Sequence, residues 1–125
     1  MNQKEFESVL KQPPNIRYEY FIKKVADSEE VWGLYNEGWA TADDGEGNVC
    51  LPFFPKMEFA QAQTVDEWSN YKPESIDINE FIDEWLDGME KDNIKASIFP
   101  NGTNTAIVQI KVLLADLKEE LAKYE

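Results

Sequence analysis

Between Val31 and Pro55 the chain reads VWGLYNEGWATADDGEGNVCLPFFP, and this stretch restricts the possible folds more than any other. Three short runs rich in β-branched and aromatic residues, 31–35, 39–43 and 49–54, are separated by Asn36-Glu37-Gly38 and by Asp44-Gly45-Glu46-Gly47. Gly38 suits the left-handed position that closes a three-residue hairpin loop, and Asp-Gly is a strong turn dipeptide. The pattern predicts a three-stranded antiparallel meander over 31–54. In its first strand Val31, Gly33 and Tyr35 share one face while Trp32 and Leu34 share the other. Neither face is plainly polar, so helices should cover the sheet on at least one side. Gly33 in mid-strand implies a bulge or the close approach of another element, and Pro52 places the third strand at an edge or a bulge.

The flanking segments read as helices and one further hairpin. Asn2 with Glu5 opens a helix near 3–11 whose apolar face is Phe6, Val9 and Leu10. Pro13-Pro14 ends it. Asn15 then caps a helix over 15–27 with Tyr18, Phe21, Ile22 and Val25 in register; its other face offers Arg17, Lys23 and Lys24 to the acidic middle of the chain or to a partner. Good helix formers fill 56–63, and 64–73 is less regular. Asp77 is the N-cap of the clearest helix, 77–92, with Glu80 completing a capping box and Ile76 and Phe81 at hydrophobic-staple spacing. Its apolar stripe is Ile78, Phe81, Ile82, Trp85, Leu86 and Met89, so Trp85 and Met89 read as core. A hairpin over 94–109 turns at Pro100-Asn101-Gly102. The last helix, 111–124, carries Leu113, Leu114, Leu117 and Leu121; no capping residue marks its start. The expected class is α+β: one domain over 1–125, with an antiparallel sheet of about five strands packed by helices.

Charge narrows the possible partners. The 125 residues include 12 Lys plus Arg and 25 Asp plus Glu, a net charge of −13. Residues 25–92 hold 18 acidic residues against Lys56, Lys72 and Lys91, so the middle of the chain supplies the whole acidic excess. Such a field repels phosphate backbones, which argues against nucleic acid and anionic membranes and in favour of a basic protein partner. No apolar run approaches the roughly 18 residues that span a bilayer. The first residues lack the features of a signal peptide, and a single cysteine, Cys50, forms no internal disulfide. The expected setting is the cytoplasm.

Little catalytic chemistry is legible. With no His and one Cys, zinc sites and Ser/His/Asp or Cys/His arrangements are excluded. GEGN at 45–48 lacks the Lys of a phosphate loop. Asp43, Asp44, Glu46 and Asn48 do not follow the spacing of a Ca²⁺ loop and read as a solvated turn. No cofactor, metal or catalytic residue is assigned. What remains is aromatic: Trp32, Trp39, Phe53, Phe54 and Trp68, which with Glu58 would make a protein-binding face if exposed and are core if buried.

Several of these strings also carry a family resemblance. Trp32/Leu34, Gly38/Trp39, Pro52/Pro55, Glu58-Phe59-Ala60, Trp68, Phe81/Trp85/Leu86 and Phe99/Pro100 together resemble the bacterial family catalogued as domain of unknown function 2750. The resemblance covers nearly the whole chain and implies no activity. The order of elements is also similar to small α+β domains of secretion-enhancer and toxin-immunity type, which bind proteins. The leading expectation is a non-enzymatic binding module with a basic protein partner. The alternatives are a small-molecule-binding protein or carboxylate-dependent enzyme using a cleft near Trp39 and Glu58, and a self-associating protein that buries its aromatic face in a homodimer.

Overall fold

A computed structural model describes residues 1–124. Five helices and six strands follow in the order α1 (Gln3–Leu10), α2 (Pro14–Ser28), β1 (Glu30–Tyr35), β2 (Ala42–Asp43), β3 (Val49–Phe53), α3 (Met57–Ala62), β4 (Lys72–Asp77), α4 (residues 78–91), β5 (Lys95–Ile98), β6 (Ala106–Val108) and α5 (Ile110–Ala122), with a 3₁₀ turn at Asp66–Trp68. The class is α+β.

Local chemistry accounts for the helix ends. The Asn2 side chain accepts from the Glu5 N–H at 2.8 Å, and Asp77 accepts from the N–H groups of Asn79 and Glu80. α2 starts one residue earlier than expected, with Pro14 in its first turn, where a missing N–H is harmless. α5 starts at Ile110 behind an uncapped Gln109. Within α4 the ladder widens to a π-helical turn over Phe81–Trp85.

The sheet departs from the predicted meander. β1 does not pair along 39–43; it pairs antiparallel with β4, from Glu30↔Asp77 to Tyr35↔Lys72. The expected first hairpin shrinks to one bridging pair, Tyr35↔Trp39, and β2 keeps only two residues opposite Val49 and Cys50. β4 reads KPESID, a polar string with a proline. It is tolerated because the strand lies at an edge and only Ile76 turns inward. The second departure is β3, which runs parallel to β5, so the sheet is mixed rather than antiparallel. Both strands are buried on both faces for most of their length, as parallel strands must be. The 94–109 hairpin forms as β5–β6.

Pro52 is therefore interior, between β2 and β5, and not at an edge. Phe53 presents its carbonyl to the Phe99 N–H on the β5 side at 2.8 Å, whereas Phe54 exchanges both backbone bonds with Trp32 on the other side, at 2.8 and 3.0 Å. By alternation Pro52 faces the Phe54 side, at the gap between the end of β2 and the Trp32 bridge. No ladder bond is lost there. The same bridge ties the β1–β4 pair to the four-stranded sheet.

The buried side chains of both sheets and the helices form one hydrophobic cluster that includes Phe21, Val31, Phe53, Phe81, Ile98 and Leu113. Two features fix its geometry. A Cβ at Gly33 would lie 2.9 Å from Trp39 Cζ3, so the close approach expected there is the Trp39 ring lying against the strand. Arg17, expected on an exposed basic patch, is instead only 1% exposed. Its Nε donates to the Phe99 carbonyl at 3.0 Å, Nη1 to the Gln12 carbonyl at 2.6 Å, and Nη2 to both oxygens of Asn104 at 2.7 and 2.8 Å. Its acceptors are all uncharged. Burial lowers its pKa, and the guanidinium stays charged.

Gly33→Ala should lose about 1–3 kcal/mol in urea unfolding and alter the native tryptophan fluorescence, because Trp39 is wedged against Trp85 and has little room to retreat. Arg17→Met, which keeps the stem and removes the donors, should cost about 2–4 kcal/mol in the same assay. Arg17→Lys should recover only part of that, since an ammonium cannot match the fork.

Candidate functional site

The six residues of the expected binding face do not assemble into one. Phe53 and Phe54 are core residues, 1% and 0% exposed. Trp39 lies over Gly33, so Trp32, the residue before it in β1, points to the opposite face of that strand. Trp68 is half-buried on the 3₁₀ turn. Glu58 is exposed in the first turn of α3 and lines a groove with Asn2, Phe6 and Met57. Trp39 stands against Gly33 and Trp85 instead, so the expected Trp39–Glu58 cleft is replaced by two separate environments.

Trp39 belongs to a different aromatic surface. Its ring meets Trp85 edge-on at 4.8 Å and Tyr35 at 5.1 Å. Trp85 in turn packs edge-on against Phe53 at 6.0 Å, which roots the group in the core. Tyr35 is 41% exposed and both tryptophans are half-buried. Such T-shaped pairs hold large apolar surface rigidly at the boundary with water.

Beside this group runs a shallow cleft of about 380 Å³ between Leu51, Trp85, Met89 and Ile94, with Glu84 and Asp92 among its walls and Gly88 on its helical side. Two residues there are poor choices for a helix. Gly88, inside α4, costs about 1 kcal/mol relative to Ala, yet apart from its chain neighbours and its own helix backbone no atom lies within 4 Å of where its Cβ would be. Asp92, at the C-cap, opposes the helix dipole by about 0.3–1 kcal/mol. Neither Glu84 nor Asp92 has an ion-pair partner among the described residues. Sequence reading missed this cleft: the helical spacing reads Trp85 and Met89 as core, which holds for Met89, 4% exposed, whereas Trp85 is only half-buried. The legible signal was a glycine interrupting a strong apolar stripe.

A larger groove of about 800 Å³ lies between α2, β6 and α5. Ile22, Val108 and Val112 line it, and Glu19, Lys23, Glu120 and Lys123 add charge of both signs. Within it the Tyr18 hydroxyl donates to Asp116 Oδ2 at 2.6 Å. Burial first, and then that carboxylate, push the Tyr18 pKa well up; burial and Glu5 do the same to Tyr20.

Reactive chemistry is sparse. Cys50 is buried in β3, and burial, with Asp44 and Asp43 adding to it, raises its thiol pKa, the opposite of what a nucleophile needs. The Asp43 and Asp44 carboxylates close their own turn, accepting from Gly45 and Gly47 and from Glu46 and Asn48. Those bonds, led by the one from Glu46, hold Asp44 below the usual carboxylate range. Among the described residues no three acidic or cysteine side chains are placed to share a metal ion, and no helix is long and apolar enough to cross a membrane.

The molecule is thus of the α+β class, with a rooted aromatic surface beside an acid-flanked cleft. Residues 18–121 match the family model described as protein of unknown function (DUF2750), and the chain belongs to that family. The match takes in every strand and leaves α1 outside. No curated protein matches the chain.

The raised tyrosine values set an alkaline limit. In the unfolded chain both hydroxyls ionise near pH 10, while the folded state holds their protons to higher pH. Their contribution is complete below pH ~10 and is lost as pH rises beyond it. Urea midpoints from pH 8 to 11 should fall above pH ~10, and less steeply in a Tyr18→Phe/Tyr20→Phe double variant.

Proposed function

We propose that this protein is a non-enzymatic protein-binding module that takes a basic segment of its partner against the Trp39–Trp85 surface. One observation carries the reading: the half-buried aromatic pair lies in the part of the chain that supplies the entire acidic excess. Rigid aromatics anchor interfaces, while surrounding carboxylates speed encounter with a cationic partner and disfavour anionic ones. Glu37, Asp43, Glu84 and Asp92 are neighbours of this pair along the chain, and Lys95 is already drawn to Asp44 at 3.6 Å. A single buried thiol suits a reducing compartment, the bacterial cytoplasm in this reading.

The test is a titration of isotope-labelled protein with a Lys/Arg-rich peptide and with a Glu-rich peptide of the same length. The basic peptide should shift the indole N–H signals of Trp39 and Trp85 ahead of those of Trp32 and Trp68. Its affinity should fall about tenfold or more between 50 and 300 mM salt. Equal binding of the acidic peptide, or shifts confined to Trp68, would overturn the reading.

A further inference from the structure

We infer that the cleft along α4 receives an extended segment with the pattern basic–x–apolar–x–basic, its apolar side chain seated over Gly88 and its two cations beside Glu84 and Asp92. This inference rests on the binding reading above and specifies the partner's chemistry at one site.

Two observations converge. The first is length. Glu84, Gly88 and Asp92 follow one another at intervals of four residues, so at about 1.5 Å of rise per residue their Cα atoms span about 12 Å with the glycine midway. In an extended chain, residues i, i+2 and i+4 point to the same side and span about 13 Å. The spacings agree. The second is lining. Leu51, Trp85, Met89 and Ile94 offer apolar surface around the middle, while both acids lack partners in the fold. A Lys or Arg stem can lie along Trp85 with its head at a carboxylate, the arrangement cation–π contacts favour.

Gly88 distinguishes a binding role from a structural one. Nothing occupies the space its Cβ would fill, so the fold does not require glycine there, and alanine should make a better helix. In the bound state that space is where the guest's apolar side chain rests. Loss of binding together with a gain in stability has no structural explanation.

The experiment measures fluorescence anisotropy of labelled peptides that carry Lys-Ser-Leu-Ser-Lys between Gly-Ser flanks. The comparison peptide, Lys-Leu-Ser-Ser-Lys, has equal charge and composition but turns its leucine away from the cleft. Wild-type protein should bind the first about 10-fold more tightly than the second. Gly88→Ala should abolish that preference while its Tm rises by about 2–4 °C. Glu84→Gln with Asp92→Asn should weaken both peptides and flatten the salt dependence. Equal affinity of the two peptides, or a Gly88→Ala variant that binds like wild type, overturns the cleft assignment and leaves the wider reading standing. Failure of both peptides, together with failure of the Lys/Arg-rich peptide, overturns both.

Discussion

Phe53 and Phe54 send their backbone groups to opposite sides, and the architecture hangs on that alternation. One residue engages the segment that ends β5; the next exchanges both bonds with Trp32 and thereby brings in β1 and β4. Their side chains, both buried in the core, prevent the joint from sliding by one residue, since a slip would turn each ring to the wrong face. The aromatic surface is a downstream product. With β1 docked at Phe54 and α4 packed over Phe53, Gly33 and Trp85 stand on either side of Trp39, and one indole fills the gap.

Arg17 does for the 99–104 turn what the joint does for the strands. Phe99 holds a left-handed backbone, with φ of 56°, an unfavourable conformation for a bulky residue. Its ring is wedged against Phe59 at 4.7 Å and its carbonyl is claimed by the guanidinium. Asn101 reaches back from the same turn to the carbonyl of Leu10 at 2.8 Å, so the α1–α2 corner and the hairpin are stitched together twice. A buried cation without a carboxylate is unusual. In a chain of net charge −13 the surrounding field favours it, and directed carbonyl dipoles supply the local solvation.

Much of this was legible in the sequence where the information is local. Asn2 and Asp77 announced their helices, the apolar stripe of α4 and the 94–109 hairpin stood out, and Gly33 signalled a close neighbour. What escaped depended on distant partners. The polar string of β4 becomes a strand because β1 offers it an unfilled edge, which nothing within KPESID reveals. The parallel β3–β5 pairing joins residues 45 apart, from Cys50↔Lys95 to Phe53↔Ile98. Arg17 read as surface because charge alone says nothing of the carbonyls waiting 82 and 87 residues away. Trp85 shares its helical spacing with true core residues, and only the three-dimensional course of β3 and Ile94 shows that its outer edge borders a cleft.

The strand pairings also constrain how the chain can fold. β1 waits for β4, and β3, which lies between them in sequence, waits for β5, which lies beyond both. The two closures interleave, so neither nests inside the other and each spans about 40 residues or more. Only β2–β3 and β5–β6 join neighbouring segments, and the first contributes just two residue pairs. Closing long loops loses chain entropy before any contact rewards it. Pairings this non-local favour slow folding over fast.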